Sequence, residues 1–153
     1  MFKRILSPVL FGGPGGANRS AEIGLLVLRL TSGLFLAIGH GWPKLTNSSG
    51  FIDNAVRGNF PAPEISGWFA ILGEFLGGIL LALGLLTRPA ALWLCGVFAG
   101  AAFITHGDSF TGGAPFFMPA QGSVEGALIY LAIAVTFLFA GSGRTGIDRL
   151  FRK

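Results

Sequence analysis

Residues 65–86 form an apolar run with a single ionisable side chain, Glu74, near its middle. A run of roughly 22 residues is long enough for a helix to cross the hydrocarbon core of a bilayer. A carboxylate at that depth costs about 2.5–3.5 kcal/mol on insertion scales, and more if it faces lipid. Glu74 is therefore expected to face protein, water or a partner charge. Gly77 and Gly78 follow at i+3 and i+4, on the same face, and leave room for another helix to approach. Thr87-Arg88-Pro89 closes this span and opens the next. The rest of the chain is read as what surrounds Glu74.

The composition agrees. Of 153 residues, 52% are hydrophobic and only 12% are charged, against roughly 25% charged in soluble domains. The mean hydropathy of +0.68 fits an integral membrane protein folded as one unit. A formal charge of +4 raises the question of nucleic acid. The basic residues flank the apolar runs, however, so membrane topology explains them and no nucleic-acid partner is expected. One cysteine, Cys95, excludes a disulfide within the chain and a thiol relay, and reads as a small packing residue.

Four spans emerge along the chain, at about 22–40, 65–87, 89–105 and 123–141. Residues 1–20 carry Lys3-Arg4 and a short apolar piece broken by Pro8 and a glycine cluster, and read as a flexible basic tail. A signal peptide would need a longer unbroken apolar core. In the first span Arg29, Ser32, Gly33, Leu36 and His40 lie on one helical stripe expected to face the bundle. Pro43 is expected to end that helix. Residues 51–57 suit a short helix lying on the membrane. The second and third spans form a tight hairpin, with Gly96 and Gly100 as a small-residue packing face. Residues 106–122 are a loop rich in Gly, Pro and Phe, and 144–153 a basic tail. The tails and the 87–89 turn hold eight Lys and Arg, against Lys44 and Arg57 in the two long loops. That asymmetry predicts both termini in the cytoplasm. The expected fold is all-α: an integral membrane four-helix bundle over residues 21–143.

Several pieces carry a family resemblance. They are Leu28-Arg29-Leu30 with Gly33, Gly39-His40-Gly41-Trp42-Pro43-Lys44-Leu45, Gly73-Glu74-Phe75-Leu76-Gly77-Gly78, Gly84-Leu85-Leu86-Thr87-Arg88, Pro89-Ala90-Ala91-Leu92, Glu125-Gly126-Ala127-Leu128 and Gly141-Ser142-Gly143. Across roughly residues 21–150 the chain resembles the DoxX family of small four-helix membrane proteins. The resemblance implies a bacterial cytoplasmic-membrane location and a link to redox or sulfur chemistry, since relatives include the DoxD-type subunit of thiosulfate:quinone oxidoreductases. It supports the fold more than any reaction.

Two constellations are candidates for chemistry. Arg29 and Glu74 enter their spans from the same end, with an axial offset of about 8 Å that their two side chains can bridge. A buried pair there either fixes helix register or serves as a proton or ligand site. At the outer ends His40, Lys44, His106, Asp108 and Glu125 collect, offering groups that bind a metal, hold a quinone or another organic ligand, exchange protons or sit at the interface without a ligand. No spacing among them is a metal signature, and no metal is assigned. Phosphate loops, a nucleophile elbow and paired haem ligands are all missing from the sequence. The chain thus supplies binding, protons and orientation, with no redox centre of its own and quinone as the cofactor class implied. The expected role is a membrane subunit of a quinone-linked oxidoreductase, working with a partner protein or a second copy. The competing role is a non-catalytic module anchoring a soluble partner.

Overall fold

The computed structural model describes residues 19–57, 60–111 and 124–151, and every regular element among them is helical. The reading of residues 1–18 as a tail, most of the 106–122 loop, Phe116, Phe117 and the last two residues lie outside the described part. We label the helices α1 (Arg19–Thr46), α2 (Ser48–Arg57), α3 (Pro63–Leu83), α4 (Thr87–Thr105) and α5 (Val124–Ala140). By length and composition α1, α3 and α4 can each cross a membrane, and α5 is a shorter apolar helix of 17 residues. Large apolar side chains point outward along all of them, among them Ile23, Phe35, Ile38, Leu92 and Phe139, as a lipid-facing surface requires.

Helix α1 packs on α3, and α5 packs on α4. Between α1 and α3 the contact repeats every four residues: Gly33 lies against Ala82 and the Gly78 carbonyl, Ala37 against Gly78, and Gly41 against the backbone of Glu74 and Phe75. Small residues at this spacing let two backbones nearly touch, and dispersion contacts of that kind bind helices where lipid offers no hydrophobic drive. Gly77 turns to the other side, against Leu94 of α4. The two glycines after Glu74 thus serve two different neighbours. Gly96 and Gly100 do not meet a helix backbone; they seat the rings of Phe69 and Phe60.

Three departures from ideal helix were not expected. Phe35–Gly41, Gly73–Gly77 and Ala101–Thr105 are π-helical, one in each long helix. The first has a clear cause. Pro43 lacks an N–H and its ring crowds the preceding turn, and the widened turn just before it lets the helix continue instead of stopping. Trp42 N–H accordingly bonds back to Ala37 O, and α1 runs on to Thr46. Such bulges recur at functional sites.

The C-terminal segment also departs from the expected tail. Gly141 and Gly143 take positive φ (68° and 65°), turning the chain back so that Ile147–Phe151 forms a 3-10 turn against the α3–α4 corner.

Candidate functional site

Two polar clusters occupy opposite ends of the α1–α3 seam. At one end Glu74 is buried and faces the interior, as its cost in lipid demands. Its partner is Lys44, whose Nζ lies 2.7 Å from Oε1 and 2.6 Å from Oε2. The expected pairing with Arg29 is not formed. The α1–α3 register explains why: Gly41 is level with Phe75 and Gly33 with Ala82, so Arg29 is level with Gly84. That places it about 15 Å along the axis from Glu74. The passage of α1 through Pro43 carries Lys44 the extra turn that brings it over the carboxylate.

Lys44 stands between the interior and water. Its ammonium sits 4.8 Å from the centre of the Phe51 ring on α2, a cation–π contact that helps hold it. Its side chain remains 27% exposed, against 5% for Glu74. It lines an open cleft of about 420 Å³ with Asn47, Asp53, Asn54 and Arg57.

On the other flank of Glu74 lies a ring cluster. Tyr130 of α5 stacks on Phe98 of α4 (centroids 5.1 Å, 15°), and His40 of α1 meets Tyr130 edge-on (5.6 Å, 75°). Tyr130 is near enough to feel the charge of Glu74. It also lines a groove between α1 and α5, with Leu28, Thr31, Ser32, Phe35, Ile129 and Ile133. The hydroxyls in that groove are spent on their own helix, Thr31 to Val27 O (2.8 Å) and Ser32 to Leu28 O (2.6 Å). The groove therefore presents an apolar wall with one phenol among its lining side chains.

The remaining outer candidates lie just beyond α4 and at the start of α5. His106 follows α4 and Asp108 sits in the Gly107–Ser109 turn. Glu125 is exposed in the first turn of α5. Among the described residues no hydrogen bond or ring contact joins His106 to His40, and no three of His, Cys, Asp and Glu come together as metal ligands. Tyr130 is the member of the site that sequence reading missed. The signal was available, since it is the only tyrosine in the chain and lies in an otherwise apolar run.

At the opposite end Arg29, 2% exposed, donates from Nη1 to Ser142 O and lies within electrostatic range of Asp148. Asp148 is completely buried. Its Oδ1 accepts from Leu86 N–H (2.7 Å), and its Oδ2 from Thr87 N–H (3.0 Å) and Thr87 Oγ1 (2.7 Å). It thus caps α4 from 61 residues away in sequence. Glu22 accepts from Arg144 N–H at 2.8 Å. Gly84 must be glycine here: its φ is +65° and a Cβ would strike the Arg29 guanidinium. This cluster ties α1, the α3–α4 corner and the C-terminal segment together, and among the described residues Glu22 Oε1 and Arg29 Nε are buried in it without a hydrogen-bond partner.

No solved structure matches the chain. The inner membrane protein YqjF of Escherichia coli (strain K12) is 30% identical over 135 residues, 86% of this chain and 95% of that protein. An uncharacterised protein of Haemophilus influenzae (strain ATCC 51907 / DSM 11121 / KW20 / Rd) is 39% identical over 80 residues, 52% of this chain and 58% of its own length. With three helices of spanning length, the chain is a multi-pass inner-membrane protein. The DoxX family pattern matches residues 24–107, from the second turn of α1 through the π-helical end of α4 and so across both members of the Lys44–Glu74 pair; the chain belongs to the DoxX family.

Proposed function

We propose that this protein is a small membrane subunit of a quinone-linked oxidoreductase, holding a quinone at the Glu74 end of a four-helix bundle whose termini both lie in the cytoplasm. The observation that carries the reading is the placement of the Lys44–Glu74 pair beside the His40–Tyr130–Phe98 rings. A quinone needs an aromatic surface to stack on, a hydrogen-bond donor for each carbonyl, and a proton source when it is reduced. The ring cluster offers the first. His40 and the Tyr130 hydroxyl are the donors, and Glu74 is the group that delivers or takes the proton. Lys44, in contact with both Glu74 oxygens and with the outer cleft, replaces Arg29 as the partner of that carboxylate. The apolar α1–α5 groove, which Tyr130 lines, suits the isoprenoid tail. Electrons must come from a partner protein, because the chain carries no redox centre of its own in this reading.

The test is to purify the full chain from bacterial membranes in mild detergent and extract and quantify bound quinone. Roughly one equivalent is expected, reduced several-fold by His40→Ala and by Tyr130→Leu. His40 is exposed, and leucine keeps an apolar side chain where Tyr130 packs against the core, so these variants should stay folded. Quinone no richer than in the surrounding lipid would overturn the proposal. A soluble protein retained without any small molecule would instead favour the anchoring module.

A further inference from the structure

The arginine end of the molecule has an unusual charge arrangement. Seven carboxylate side chains occur in the chain, and only Glu22 and Asp148 belong to this end. Both are buried, with their oxygens turned inward onto Arg144 N–H, Leu86 N–H and Thr87. The other five lie on α2, within or at the outer end of α3, beyond α4 or at the start of α5. Apart from the buried Arg29, the described cations at this end reach outward instead. Arg19, Arg144 and Arg149 are exposed, and Arg88 is half-buried with Nη2 on Phe139 O. Among the described residues no exposed carboxylate side chain offsets them.

The same turn presents apolar side chains. Leu150 is 75% exposed and Phe151 53%. The turn that presents them is fixed at Asp148 by its three carboxylate bonds and by its own N–H to Gly84 O at 2.9 Å. Arginines and two large apolar groups thus share a short segment at the rim of a membrane protein.

We propose that this end binds anionic phospholipid headgroups, with Arg19, Arg144 and Arg149 contacting phosphates while Leu150 and Phe151 rest among the upper acyl carbons. A partner surface must be anionic and apolar within a few ångströms, and the headgroup–acyl boundary of a bilayer has that profile. An acidic protein segment would satisfy the arginines and leave Leu150 and Phe151 in water.

The test is to strip the full chain of lipid in detergent, titrate it with dioleoylphosphatidylglycerol or dioleoylphosphatidylcholine, and count retained lipids by native mass spectrometry. The wild type should prefer phosphatidylglycerol, and the preference should fade as salt is raised. Arg144→Gln with Arg149→Gln should lower it about tenfold, two surface arginines' worth, without changing the melting temperature in phosphatidylcholine. Arg144 holds the fold through its backbone N–H, which the substitution keeps. Arg144→Lys with Arg149→Lys should retain most of the preference. Leu150→Ser with Phe151→Ser should weaken both lipids alike. Equal retention of the two lipids by the wild type, a preference insensitive to salt, or an unchanged ratio in the glutamine variant would each overturn the proposal.

Discussion

Lys44 Nζ lies within 2.7 Å of both oxygens of Glu74, across the closest approach of α1 and α3. The contact exists because two local irregularities coincide. A π-helical turn carries α1 through Pro43, and another in α3 begins one residue before Glu74. Straight helices with the same residues would leave the lysine short of the carboxylate. The pair is therefore a property of the bulges as much as of the charges.

Removing one member should strand the other. Glu74→Gln and Lys44→Met should each cost about 3 kcal/mol, the low end for a buried pair because Lys44 keeps some water. The double variant should lose less than the sum, since it leaves no orphan charge. Thermal unfolding in detergent of the four proteins of the cycle measures this. Strict additivity would mean the two side chains do not interact in the membrane.

The proposed membrane orientation puts the arginine end in the cytoplasm. Single cysteines at Ser49 and Thr145, both exposed, in a chain with Cys95 replaced by alanine, allow a direct check. An impermeant maleimide applied to spheroplasts should label the Ser49 position at once and the Thr145 position only after permeabilisation. The reverse pattern would place the Lys44–Glu74 site at the cytoplasmic face and remove the positive-inside argument for this chain.

Asp148 should prove one of the most sensitive residues. Asp148→Ala leaves Leu86 N–H, Thr87 N–H and the Thr87 hydroxyl without their acceptor in a buried corner. Each orphaned group costs about 1–3 kcal/mol, so a loss of several kcal/mol is expected. Asp148→Asn keeps one acceptor oxygen and should fall between. A chain cut after Ser142 should lose folded protein to a similar degree. Yields and melting temperatures that match the wild type would show the C-terminal segment to be dispensable.

Much of this was legible in the sequence, and what was not has physical reasons. The long helices follow from apolar length alone, and the burial of Arg29 and Glu74 from the cost of charge in lipid. Their partners were misjudged because counting 1.5 Å per residue from each end assumes straight helices and equal starting levels. The small-residue seam sets a different register, and Pro43 reads locally as a stop. Asp148 was hidden for another reason: a lone acid in an arginine-rich tail looks solvated, and only the returning chain shows what it caps. Gly141, Gly143 and Gly146 were the available hint that the tail turns back.

The α1–α3 seam gives the sharpest comparison between two glycines of one helix. A Cβ on Gly33 would lie 2.7 Å from both Ala82 N and Gly78 O, which are backbone atoms and cannot swing aside. A Cβ on Gly24, on the same helix, would meet nothing within 4 Å. Gly33→Ala should therefore force the helices apart and cost about 1–3 kcal/mol, as overpacking does. It should also loosen the Lys44–Glu74 contact two to three turns away, because both depend on the same helix spacing. Gly24→Ala removes backbone freedom from the unfolded chain at no steric cost, and should be neutral or stabilise by up to about 1 kcal/mol. Unfolding of both variants in one detergent gives the answer. If Gly33→Ala and Gly24→Ala behave alike, the tight α1–α3 approach does not exist in the folded protein, and the register that separates Arg29 from Glu74 fails with it.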